Sequence, residues 1–143
     1  MHGNESQPGE WPWMVALGYE DETHPLSWRC GGSLITSRHV LTAAHCVTFT
    51  TPSLKYVRLG DIDLTCPGER THAITIAVEK KIKHPCYNPV GKYMNDIAVL
   101  RLSEDVTFTD LIRPVCLPLD HSFQKHSFVG SHTYVVGCGR TTL

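Results

Sequence analysis

The sequence has no excess of either charge, no long apolar run and no internal repeat. Its formal net charge is −1 across 143 residues, so no basic surface argues for nucleic acid or an anionic membrane as partner. Apolar stretches are as short as Met14-Val15-Ala16-Leu17, far below the length that spans a bilayer. The opening Met1-His2-Gly3-Asn4-Glu5 has no basic segment followed by an apolar one, so no secretion signal is read there. The six cysteines lack Cys-x-x-Cys spacing, which argues for disulfides made in an oxidising compartment rather than a metal centre. A secreted-looking body without a signal leads us to expect missing sequence upstream. The nine histidines are scattered. His121, His126 and His132 fall in an irregular stretch without helical pairing, and they read as surface or hydrogen-bonded side chains, not metal ligands.

What is present centres on Leu41-Thr42-Ala43-Ala44-His45-Cys46. A general base must present its ring in one orientation, so small neighbours and an immobile backbone suit it. Further along, Asn95-Asp96-Ile97-Ala98-Val99-Leu100 sets an acid immediately before an apolar run. An aspartate so placed is able to orient an imidazole and stabilise its protonated form. Around these two points the pattern is that of strands. A strand over 9–17 is entered through the bend fixed by Pro12. Others are expected over 28–35, 39–41 and 55–60. Ile74-Thr75-Ile76-Ala77-Val78 alternates, which turns Ile74, Ile76 and Val78 to the core. The run 96–102 reads as apolar on both faces. Lys80, Lys81 and Lys83 read as a solvated strand face. From 103 to 132 no period is visible.

Cys30-Gly31-Gly32-Ser33-Leu34, Thr42-Ala43-Ala44-His45-Cys46 and Asp96-Ile97-Ala98-Val99-Leu100 together resemble the chymotrypsin/trypsin-like serine endopeptidases. The resemblance implies an all-β fold whose first part, residues 1–102, is a closed antiparallel six-stranded β-barrel. Residues 103–132 would then be the inter-barrel connection. Residues 133–143 would begin a second barrel, truncated after its first strand, at Tyr134-Val135-Val136-Gly137-Cys138-Gly139. Cys138 stands where most of the family carries tryptophan. In the roles the resemblance carries over, His45 is general base and then acid, and Asp96 orients it. The nucleophilic serine of the family follows the aspartate by roughly ninety residues, and no serine here lies in a Gly-Asp-Ser-Gly-Gly context. Ser33 precedes the histidine and matches a structural strand, so it is not read as the nucleophile. The Ile or Val whose freed amine activates such zymogens would stand one position before Met1.

The resemblance also implies a Cys30–Cys46 bridge that fixes the histidine loop, worth about 3 kcal/mol in the chain-entropy model. Cys66 and Cys86 are a further candidate pair. Asp61, Asp63 and Glu69 beside a Pro-Gly turn resemble the calcium loop of some trypsins, although a solvated acidic loop is the simpler reading, and no cofactor is required. Cys116, in Arg113-Pro114-Val115-Cys116-Leu117-Pro118, matches the family cysteine that commonly bonds a pro-segment, as in arthropod clip-domain cascade proteases. Three functional readings stand. One is the N-terminal portion of a secreted serine endopeptidase acting on protein or peptide substrates. Another is a non-catalytic secreted homologue serving as binding partner or decoy. The last is an incomplete gene product. By itself the chain is expected to be inactive, since nucleophile, oxyanion hole and specificity pocket all come from the second barrel of the family.

Overall fold

The computed structural model describes residues 6–48, 50–60, 73–88, 94–120, 127 and 129–137. Alternating apolar residues fold into strands β1 (Met14–Glu20), β2 (Ser27–Thr36), β3 (His39–Thr42), β4 (Ser53–Leu59), β5 (Ile74–Lys83) and β6 (Ala98–Leu102). They close into one antiparallel barrel in the order β1-β2-β3-β6-β5-β4, with β1 pairing β4 to complete the ring. Closure leaves no long unpaired edge, which is how an all-β unit of this size avoids edge-to-edge association.

The interior is filled by the inward positions of each strand. Leu17, Leu34, Val40, Val57, Leu59 and Leu100 are fully buried. Ile76 is buried as expected, and Ile74 and Val78 pack against the same cluster. The irregular segment after β6 is not a free tether. Val106 and Ile112 are buried in the barrel core, and Val106, Arg113 and Val115 donate backbone hydrogen bonds to Ser37, Pro12 and Leu34 carbonyls at 2.7–2.9 Å.

Three expectations are refined by the structure. β5 runs on through Lys83, because its second half pairs with β6 after a bulge between Val78 and Lys80. In that half Lys80, Lys81 and Lys83 are exposed. β6 is not apolar-buried on both faces: Ala98, Leu100 and Leu102 point in, while Val99 and Arg101 are only half-buried. Arg101 meets Glu79 at 2.8 Å on the outer face. Lastly, residues 129–137 make no strand pairing; a lone strand has no ladder to join. Tyr134 there lies against Trp11, ring centroids 5.6 Å apart.

The second of the paired glycines of β2 has a steric reason. A Cβ on Gly32 would come within 2.8 Å of the Leu41 carbonyl oxygen and of Val40 Cγ1, so β2 lies this close to β3 only with glycine at that position. The core sets the expected cost of damage. Leu100→Ala, at a position with no exposed surface, should remove about 2–5 kcal/mol, read as a lower urea-unfolding midpoint at unchanged slope.

Candidate active site

β3 and β6 pair in the register Thr42↔Ala98, so the chain leaving β3 and the chain entering β6 emerge side by side. Thr42 is buried, and its hydroxyl donates to the Gly31 carbonyl at 2.8 Å. Ala44 is fully buried, which anchors the 3₁₀ turn His45–Val47 against the core and leaves His45 facing outward. On the other side, Asn95 takes a left-handed backbone with φ of 60°, a conformation asparagine tolerates better than most side chains. Its side-chain amide donates to the Cys86 carbonyl at 3.0 Å, and this sharp turn delivers Asp96.

The carboxylate of Asp96 meets His45 twice. Oδ1 accepts the His45 backbone N–H at 2.8 Å, and Oδ2 lies 2.7 Å from the ring Nδ1. These bonds, the ring contact first, hold the Asp96 carboxyl below the usual carboxylate range, against a smaller opposing push from burial. An ionised carboxylate only accepts, so Nδ1 carries the proton and Nε2 is left as the free basic nitrogen. The imidazole is half-exposed at 50% and the carboxylate more sheltered at 25%. This is the geometry of an oriented general base.

Cys30 and Cys46 form a disulfide with Cα atoms 6.1 Å apart, tying the histidine turn to β2. Cys46 Sγ lies 3.3 Å from His45 Nε2. A cleft of about 460 Å³ opens beside the bridge, lined by Met14, Trp28, Cys30, Gly31 and Val136 among others. Among the described residues, Cys30, His45 and Cys46 form the one grouping with metal-ligand proximity, and both its sulfurs are used by the disulfide. Cys86 and Cys116 are exposed free thiols. Cys66, Cys138 and the calcium-loop candidates Asp61, Asp63 and Glu69 lie outside the described residues.

Tyr19, at the end of β1, was not singled out from sequence. Its fully buried hydroxyl donates to the Cys46 carbonyl at 2.7 Å, and burial pushes the phenol up to about 12. The legible signal was an inward-facing tyrosine in phase with Val15 and Leu17, which needs a partner for its hydroxyl.

The trypsin family model matches residues 1–143. The chain belongs to the trypsin family. It is 43% identical over 141 residues to a venom protease of Bombus pensylvanicus, covering 96% of this chain and 57% of that protein. It is likewise 43% identical over 147 residues to the proclotting enzyme of Tachypleus tridentatus, covering 99% of this chain and 38% of that one. Among solved structures it resembles the Drosophila Grass clip serine protease of the Toll pathway, with a TM-score of 0.75 at 30% identity over 87% of this chain and 38% of that chain. The chain thus spans between about two-fifths and three-fifths of these relatives' lengths.

Two outcomes are expected of this site. Because the folded Asp96 carboxyl titrates below its unfolded value, the stability it lends is complete above the unfolded range near about pH 4. It is lost as pH falls through the depressed folded value. Urea midpoints followed from neutral pH into acid should therefore fall less steeply for Asp96→Asn than for the parent chain. Tyr19→Phe strands the buried Cys46 carbonyl without a donor and should cost about 1–3 kcal/mol, measured by thermal unfolding.

Proposed function

We propose that this chain provides the base half of a serine-type endopeptidase of the secreted, cascade-regulated kind, with His45 as general base then acid and Asp96 as its orienter. The observation that carries the reading is the double contact of Asp96 with His45, at 2.8 Å to the backbone and 2.7 Å to the ring. A carboxylate spent on both the backbone and the tautomer of one histidine is what acyl transfer by a Ser-His-Asp set requires. The nucleophile is not supplied by these 143 residues: no serine stands in the family's Gly-Asp-Ser-Gly-Gly context, and among the described residues no hydroxyl is bonded to His45. In this reading residues 1–102 are the first barrel, 103–132 the inter-barrel connection and 133–143 the opening of the second barrel.

Secretion is supported by the Cys30–Cys46 bridge and by relatives described as venom proteases. Among the described residues no helix is long and apolar enough to cross a membrane. The exposed free thiol of Cys116, at the surface of the connection, suits a disulfide to a pro-segment that keeps a regulatory chain attached after zymogen cleavage. The alternative, a non-catalytic binding partner or decoy, draws on the absence of a nucleophile in these residues.

Two assays test the proposal. The isolated chain should hydrolyse neither Arg- nor Phe-type peptide substrates above a His45→Ala control, and a fluorophosphonate probe should leave it unlabelled. Labelling abolished by mutating one of its own serines would reveal a nucleophile within it. Grafted in place of the matching segment of the Bombus pensylvanicus venom protease, the chain should give a hydrolase that loses about a thousandfold or more on His45→Ala or Asp96→Asn. A graft that folds yet is indifferent to both substitutions would favour the decoy.

A further inference from the structure

The imidazole that Asp96 orients faces sulfur. His45 Nε2 is 3.3 Å from Cys46 Sγ, and the ligand atoms of Cys30, His45 and Cys46 all lie within 4.8 Å of one another. With Nδ1–H held by an ionised carboxylate at 2.7 Å, it is the basic nitrogen that is turned to the bridge.

The two ends of this disulfide are unlike. Cys46 is 4% exposed, whereas Cys30 is partly open to solvent. Exchange proceeds by attack of a thiolate on one sulfur while the other leaves as thiolate, so access at the first and stabilisation at the second both set its direction. Access selects Cys30. Stabilisation selects Cys46, because a protonated His45 gives its sulfur an N–H···S⁻ bond and Asp96 steadies the imidazolium. Among the described residues, the groups shown to act at Cys46 and at Tyr19 do not oppose this. Tyr19 is a neutral phenol bonded to the Cys46 carbonyl, and the charge acting on Tyr19 from Arg29 is positive. Nor does opening the bridge scatter the cluster: Cys30 stays paired with Leu17 in the β1–β2 ladder, and Tyr19 retains the Cys46 backbone.

We propose that Cys46 is a latent thiolate nucleophile, released next to His45 when a small thiol attacks Cys30 Sγ. The incoming thiolate bonds to Cys30 Sγ, the Cys30–Cys46 bond breaks, and its electron pair departs on Cys46 Sγ. The proton lost by the attacking thiol ends on His45 Nε2. A second thiol then displaces Cys30 from the mixed disulfide and gives its proton to the departing Cys30 sulfur. The bridge is thereby reduced by two electrons and the two external thiols are oxidised to a disulfide. What remains is a Cys-His-Asp constellation, Cys46-His45-Asp96, of the kind that activates a sulfur nucleophile, with soft electrophiles as its ligand class. This goes beyond the peptidase reading and does not depend on it.

The test uses the folded, oxidised chain with reduced glutathione as the thiol. Peptide mapping after brief treatment should find the glutathione adduct on Cys30. Iodoacetamide at about pH 6, where an ordinary thiol is almost wholly protonated, should then modify Cys46 about tenfold or more faster in the parent chain than in His45→Gln. The exposed thiols of Cys86 and Cys116 should react at the same rate in both. An adduct on Cys46, or a Cys46 rate indifferent to His45→Gln, overturns the proposal. Two controls cover a misfolded variant or a shielded sulfur. Asp96→Asn should repeat the loss, and the ultraviolet thiolate absorbance of Cys30→Ser at about pH 6 should fall on adding His45→Gln. An absorbance that does not change on that addition counts against the proposal in the same way.

Discussion

The antiparallel ladder between β3 and β6 is the constraint on which the rest of the site depends. Its register, from His39↔Arg101 to Thr42↔Ala98, brings two distant parts of the chain out of the barrel at the same point. Strand pairing fixes position along the ladder to within a residue, since a slip by one would turn each inward side chain outward. Here such a slip would expel Val40 or Leu100, both fully buried. The hydrophobic core therefore sets where His45 and Asp96 emerge, and the hydrogen bonds between them only complete what the register has begun.

Around that ladder, the histidine turn is held from three sides by bonds of different kinds. The disulfide ties it to β2, the Tyr19 hydroxyl ties its backbone to β1, and Asp96 ties it to the entry of β6. Each group uses an atom that burial or ionisation has already committed: a buried phenol has few other partners, and a carboxylate has only acceptors to offer. An imidazole held this way has little orientational freedom left to lose, which is the structural content of preorganisation. The same rigidity fixes the imidazole against the sulfur of Cys46, so one arrangement would serve both the acid–base role and the thiol role proposed for it.

The family, the all-β class and the pairing of His45 with Asp96 were legible in the sequence, because they are written in local pattern. Alternation marks inward residues, small neighbours flank a presented histidine, and an acid precedes an apolar strand. Tyr19 was less legible, since an inward tyrosine announces a need for a partner but not which carbonyl will meet it. Asn95 is no more legible: asparagine before aspartate does not by itself declare a left-handed turn.

Two further features were decided by tertiary structure alone. The loosely patterned residues beyond β6 became part of the core because Val106 and Ile112 join its buried cluster, which exists only once six strands have closed. The second half of β5, whose lysines already read as a strand face, pairs with β6 only after a bulge between Val78 and Lys80, which no alternation in the sequence announces. By itself the sequence determined which side chains seek the interior and singled out the histidine and the aspartate for which the acid–base role is proposed. Only the folded chain decided what stands beside them, since the 3.3 Å between His45 Nε2 and Cys46 Sγ follows from where the β2 and β6 anchors hold the turn, not from the adjacency of two letters.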